Sequence, residues 1–153
     1  MNIRMQPSRV RPARAEDAAE IARLYAVLVS NPLVNVLPDR IAALASDRNA
    51  RVFVFDEGQR ITGTALVALC ADVMFGVQPF AVVENIVVDE SARRTGIGSH
   101  LLRAVEIFCA EADCSKIMLL SSAGRSQAHF FFERCGYAGS VKRGFVKYRK
   151  SFG

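Results

Sequence analysis

The sequence predicts an α/β fold: one domain with a mixed, mostly antiparallel sheet of about six to seven strands, flanked by about four helices. Three observations carry this. Strand-like and helix-like apolar patterns follow one another in the order β-α-α-β-β-β-α-β-α-β. The stretch from Phe80 to Ser121 reads strand, helix, strand, and such a crossover makes a parallel pair. At 153 residues, 51% hydrophobic and 23% charged, the chain is long and apolar enough for its own core and is not disordered. Residues 1–153 are read as this single domain, with 1–7 as a flexible N-terminus.

Ser8 to Ala13 is the first short strand. Glu16 and Asp17 favour a helix start, and Ala18, Ile21, Ala22, Tyr25, Leu28 and Val29 follow at helical spacing until Asn31-Pro32 stops it. Pro38 suits the first turn of a second helix, to about Ser46, with Ile41, Leu44 and Ala45 on one face. Arg51 to Phe55 and Ile61 to about Val73 are strands joined at Asp56-Glu57-Gly58-Gln59. Phe80 to Val88 is a buried strand. Gly98 to Ala112 is a helix that turns Leu101, Leu102, Val105, Phe108 and Cys109 inward. Lys116 to Ser121 is the next strand. Ser126 to Cys135 is a helix capped by Gly136, and Phe145 to Arg149 is the last strand.

Composition narrows the function. The formal charge of +5 is modest, has no run of five like charges behind it and comes without Trp, so a polyanionic small ligand fits better than nucleic acid. Four cysteines without a Cys-x-x-Cys pair, and only two histidines, argue against a metal site. Cys70, Cys109 and Cys135 lie among apolar neighbours and read as core. The apolar stretch from Thr64 to Val83 is broken by Asp72, Gly76, Gln78 and Pro79, so it is two strands and not a membrane span. An N-terminus without an apolar signal core and an unpaired cysteine pattern point to the cytoplasm.

The most informative stretch runs from Val82-Val83-Glu84-Asn85-Ile86-Val87-Val88-Asp89 to Arg93-Arg94-Thr95-Gly96-Ile97-Gly98-Ser99. A strand, a glycine-rich turn and a helix start converge there with two arginines. N–H groups, helix dipole and positive charge suit a pyrophosphate. No Gly-Lys-Ser/Thr follows, which excludes a P-loop, and Leu101 stands where a dinucleotide fingerprint needs its third glycine. The remaining pattern, with Arg93, Gly96 and Gly98 at its defining positions, resembles the acetyl-CoA loop of the GNAT superfamily of N-acetyltransferases. Ala128-His129-Phe130-Phe131-Phe132-Glu133-Arg134-Cys135-Gly136-Tyr137 is similar to that family's late Ala-x-x-Phe-Tyr-Glu-x-x-Gly-Phe signature. The closing Gly144-Phe145-Val146-Lys147 resembles small-molecule amine acetyltransferases, aminoalkylphosphonate types included, and the Glu84-Asn85-Ile86-Val87-Val88 strand resembles the glucosamine-6-phosphate type.

The resemblance implies a GNAT-like fold whose central parallel strands splay apart around the donor's pantetheine arm. It implies acetyl transfer from acetyl-CoA to a primary amine, most simply of a small molecule, by direct attack in a ternary complex. Acetylation of proteins or peptides, and acyl-CoA binding without catalysis, remain the alternatives. No nucleic acid or membrane partner is expected, and a homodimer is left open. The donor side would comprise Ile86, Val87, Val88, Arg93, Arg94, Thr95, Gly96, Ile97, Gly98 and Ser99, with Arg125, His129 and Phe132 from the later helix. An N–H near Ile86 would meet the carbonyl oxygen. Tyr25 and Asn31 fall in the region that selects the acceptor.

Acetyl transfer needs a deprotonated amine, a stabilised carbonyl oxygen and a proton for the departing sulfur. Glu84 is the candidate base and a substrate contact, since mid-strand burial would raise its pKa toward neutrality; a strand-end carboxylate bonded to a loop is the structural alternative. The family's usual acid is the Tyr of Phe-Tyr-Glu, and here that position is Phe132. Tyr137 and Ser122 are the substitute candidates, or the thiolate leaves without a protein acid.

Overall fold

The computed structural model describes residues 9–153, so the expected flexible segment 1–7 and the first residue of the expected first strand lie outside the described residues. Two compact units divide at Leu119/Leu120. The first carries β1 (Val10–Pro12), a 3-10 turn (Ala15–Asp17), α1 (Ala18–Leu28), α2 (Pro38–Ala45), β2 (Ala50–Asp56), β3 (Ile61–Cys70), β4 (Phe80–Val88), α3 (Ile97–Glu111) and β5 (Ile117–Leu119). Its five strands lie in sequence order; β1 to β4 are antiparallel neighbours, and β4 pairs β5 in parallel.

Strand periodicity divides the side chains between two faces. Val52 and Val54 of β2 join Ile21 and Leu24 of α1 and Ile41 of α2 on one face. Phe55 and Ala65 meet Ile97 and Leu101 of α3 on the other, where Val67, Ala81 and Val83 also meet Val105 and Cys109. Burial of each such Leu or Ile contributes about 1.5–3 kcal/mol. Gly63 of β3 admits α3 closely: a Cβ there would stand 2.8 Å from Ile97 Cγ2 and 3.0 Å from Leu101 Cδ1.

The β3–β4 ladder contains a bulge. Leu66 opposes Glu84 and Thr64 opposes Val87, so Asn85 and Ile86 share the single opposing residue Ala65. Asn85 takes up the extra residue at φ 53°, in the left-handed region that Asn tolerates better than most. The bulge puts both Glu84 and Val87 on the α1/α2 face although their spacing is odd.

One expected strand end and the expected burial of two cysteines change. β3 ends at Cys70 because Asp72 Oδ1 accepts the N–H groups of Val73 (2.7 Å) and Met74 (3.1 Å), which turns the chain out and leaves Val73 93% exposed. Cys70 and Cys135 are only half-buried; Cys109 alone is core, its thiol pushed up to about 12 by burial and by Cys114 beside it.

The second unit, Leu120–Gly153, holds α4 (Ser126–Arg134) and a 3-10 turn at Arg149–Ser151. Gly136 ends α4 at φ 91°, as expected for a glycine just past the last turn. The expected strand at Phe145–Arg149 is absent, so the described sheet has five strands, not six or seven, and its parallel pair forms an edge. The physical reason is local: this unit contains no other strand to supply a ladder, and Phe145 (88% exposed) finds no apolar layer.

Candidate active site

β4 carries the site because its two edges are unequal. Its ladder with β3 continues to Val88↔Gly63, whereas pairing with β5 stops at Val83↔Leu119. The segment from Glu84 onward therefore has no ladder to β5, which ends at Leu119. Glu84 is exposed there, which corrects the expectation of a buried carboxylate. A bulge and a missing neighbour strand uncover it.

Asn85, which sequence reasoning passed over, joins β4 to α1 by a hydrogen bond between its side chain and the Tyr25 hydroxyl. Burial raises the Tyr25 pKa and that bond opposes the shift, so Tyr25 stays neutral at working pH. Glu84, Asn85 and Tyr25 thus form one constellation. Asn31 shapes the turn after α1, where its Oδ1 accepts the Leu33 N–H at 2.9 Å. The only hint of Asn85 in the sequence is a polar pair, Glu84-Asn85, inside an apolar strand.

The end of β4 is fixed by Asp89. Its carboxylate accepts from Arg23 (2.6 Å), the Ser91 N–H (3.1 Å) and the Ser91 hydroxyl (2.9 Å), and forms an ion pair with Arg60 at 3.1 Å. Burial alone would raise its pKa, but the Ser91 N–H, Arg23 and the Ser91 hydroxyl hold it down at about 2. Glu20 ties Arg23 to the same cluster and accepts the Ile61 N–H at 3.2 Å.

Beyond Asp89 the loop is built by its own backbone. A 3-10 turn over Glu90–Ala92 leads to Arg94 at φ 65° and Gly96 at φ 85°. Thr95 donates its hydroxyl proton to the Ala92 carbonyl. Gly96 is the N-cap of α3, and its carbonyl oxygen lies 2.7 Å from His100 Nδ1. The helix begins at Ile97, one residue before the expected start. Arg93 spends its Nε on the Val88 carbonyl (3.3 Å), while Arg94, Thr95, Gly96 and Ser99 are exposed along the first turn of α3. Ile97 and Val87 turn their side chains into the core, so only their main chains face a ligand; Ile86 and Val88 are half-buried. Exposed N–H groups at a helix start, Gly96 and two arginines make an anion site in type.

In the second unit His129 Nε2 lies 3.0 Å from the Ser122 carbonyl, which also accepts the Arg125 N–H at 3.0 Å. His129 therefore closes the loop before α4. Arg125 and the Ser122 hydroxyl are exposed. Phe132 is buried, with the Tyr137 ring 6.2 Å away at 66°. A phenol thus stands beside the residue that lacks one. Among the described residues no His, Cys, Asp and Glu cluster could hold a metal ion, and no helix is long and apolar enough to cross a membrane.

Comparison with known proteins shows the family and the fold. The family model described as acetyltransferase (GNAT) family matches residues 16–137. The chain belongs to the GNAT family of acetyltransferases, a class of acyltransferases. A chain from Agrobacterium tumefaciens str. C58 assigned as an acetyltransferase is 28% identical, with a TM-score of 0.80 over 92% of this chain and 99% of that one. Glucosamine-6-phosphate N-acetyltransferase from Arabidopsis thaliana is 20% identical, with a TM-score of 0.80 over 92% and 97% of the two chains, and an acetyltransferase of Trypanosoma brucei is 23% identical, at 0.76 over 91% and 98%. The last two share the fold alone. A search of curated proteins gives no match.

Proposed function

We propose that this chain transfers the acetyl group of acetyl-CoA to the primary amine of a small molecule in a ternary complex, with both units acting as one catalytic domain. The observation that carries this reading is the bulged β4, which presents an exposed Glu84 on the strand that leads into the Gly96 turn and the α3 N-terminus. In the reaction a C–N bond forms to the thioester carbonyl carbon and the C–S bond breaks. The chain's part is to orient, to take a proton and to hold charge.

Glu84 accepts the proton of the attacking amine, directly or through one water, and passes it to solvent. The β4 main chain at Ile86 donates to the carbonyl oxygen, and Val88 holds the amide arm of the donor. Arg93, Arg94 and the α3 N-terminus hold its pyrophosphate. Arg125 and His129 are assigned to the donor side and Tyr25 to the acceptor side. Sulfur leaves as thiolate, with Tyr137 the favoured proton source and Ser122 the second. A cytoplasmic setting fits the four free thiols.

A second reading has its own observation: Phe132, buried and without a hydroxyl, stands where the family pattern has Tyr, which favours acyl-CoA binding without transfer. One experiment separates the two. Thiol release from acetyl-CoA is followed over amines and peptides for the natural chain and for Glu84→Gln. Turnover that falls about 10²-fold in Glu84→Gln, with acetyl-CoA affinity retained, supports the base assignment. Acetyl-CoA binding without turnover supports the second reading, and turnover on peptides alone moves the acceptor to proteins.

A further inference from the structure

The α1/α2 face of the sheet contains a cavity of about 210 Å³. Tyr25, Leu37, Leu44, Val52 and Leu66 supply apolar wall, and Arg40 stands among the lining residues. Two features point to a ligand. First, the Arg40 side chain is exposed and has no ion-pair or hydrogen-bond partner among the described residues, whereas Arg11 and Arg23 are each held by two carboxylates. Second, the register aims the cavity at Glu84. Val52 opposes Leu66 and Leu66 opposes Glu84, so the three form one row across β2, β3 and β4 on one face. Side chains directly opposite are about 5 Å apart at Cβ. Glu84 therefore stands one strand beyond the cavity wall, and Tyr25, bonded to its neighbour Asn85, also lines the cavity.

We infer that the acceptor is an amphipathic anionic amine: a primary amine directed to Glu84, an apolar body in the cavity and an oxyanion at Arg40. The inference rests on the acetyltransferase reading and narrows its substrate class. The oxyanion is a carboxylate or a phosphorus oxyanion, since both accept the guanidinium fork. The apolar walls disfavour sugars and polyamines, whose polar groups would lie unbonded against Val52, Leu44 and Leu66.

The test is steady-state acetylation by the full chain with three matched amine sets, alongside calorimetric titration without acetyl-CoA. Leucine, phenylalanine and their phosphonate analogues carry both body and anion. Isoamylamine and phenethylamine carry the body alone. Glycine and aminomethylphosphonate carry the anion alone. Expected is a kcat/KM at least tenfold higher for the first set, the carboxylate and phosphonate members identifying the oxyanion. In Arg40→Gln that advantage should disappear through KM, and in Arg40→Lys it should partly return. Leu44→Trp, which fills the cavity, should exclude the phenyl-bearing members first.

Turnover on other amines with no preference for the first set overturns the acceptor class and leaves the acetyltransferase reading standing. Equal loss on all amines in Arg40→Gln also overturns the assignment. Binding of the first set, sensitive to Arg40 but without turnover on any amine, supports the site and overturns the reaction. Neither binding nor turnover of the first set overturns the inference.

Discussion

Asp89 gathers Arg23, Arg60 and Ser91 around one carboxylate, and its charge state governs the end of β4. Its carboxylate, held at about 2, lies well below its unfolded range near 3.9. A depressed acid stabilises the fold above its unfolded pKa, and that contribution is lost as pH falls through the folded value. Asp17, Glu20 and Asp56 are also lowered: Asp17 by Arg11 against the burial that opposes it, Glu20 by Arg23, and Asp56 by the Gly58 N–H and Arg11. The melting temperature is therefore expected to hold down to about pH 4 and to fall steeply toward pH 2. Asp89→Asn should flatten part of that fall and cost about 2 kcal/mol at neutral pH, because Arg23 and Arg60 each lose one of their two carboxylate partners. An unaltered acid limb in this variant would remove Asp89 as its source.

At the scale of elements, α3 is held where Gly63 lets it approach β3. A methyl group there meets Ile97 in the first turn of α3 and Leu101 one turn later, both buried. Gly63→Ala is expected to lower stability by about 1–3 kcal/mol and to weaken acetyl-CoA binding by displacing the first turn of α3. Thermal melts with and without acetyl-CoA separate the two effects; a stability loss with unchanged binding would mean that α3 tilts without moving its N-terminus. Elements with strong local patterns were legible in the sequence. β4 has the expected bounds, and α2, α3 and α4 begin or end within one residue, since periodicity, Pro38 and Gly136 mark them. Asn85 was not legible, because a bulge is a mismatch between two strands and neither strand alone encodes it. For the same reason the exposure of Glu84 was misread: its burial depends on where pairing with β5 stops. The expected last strand failed because β-propensity at Phe145–Arg149 does not supply a partner.

For the whole molecule, the excess of positive charge acts on any polyanionic ligand. With a net charge of +5 and Arg93 and Arg94 exposed beside the Gly96 turn, acetyl-CoA binding is expected to weaken severalfold as ionic strength rises from about 0.05 to 0.5 M. An acetylated pantetheine without the nucleotide should lack this salt dependence, because it has no phosphates for the arginines. Equal salt sensitivity of the two donors, measured by titration, would place the charge contact elsewhere. The acceptor side should respond separately, since Arg40 lies on α2 and the arginines of the loop precede α3.

The extra residue in β4 has a further consequence for how the gene can change. Up to Glu84 the even-numbered residues face α1 and α2; past Asn85 the odd-numbered ones do. The strand is thus written in two reading frames of period two, joined at one residue. A deletion on either side of the Asn85-Ile86 pair throws part of the strand onto the wrong face, with Val83 or Val87 leaving the core. Deletion of Ile86 merges the two frames but removes a side chain packed against the core, whereas deletion of Asn85 merges them and leaves each core residue on its own side. That shortened chain is expected to fold with a melting temperature near the parent's, yet to lose acetyl transfer, because Tyr25 loses its tether and Glu84 joins a regular ladder. The least harmful place to shorten this strand is therefore the place where its chemistry is most exposed to loss.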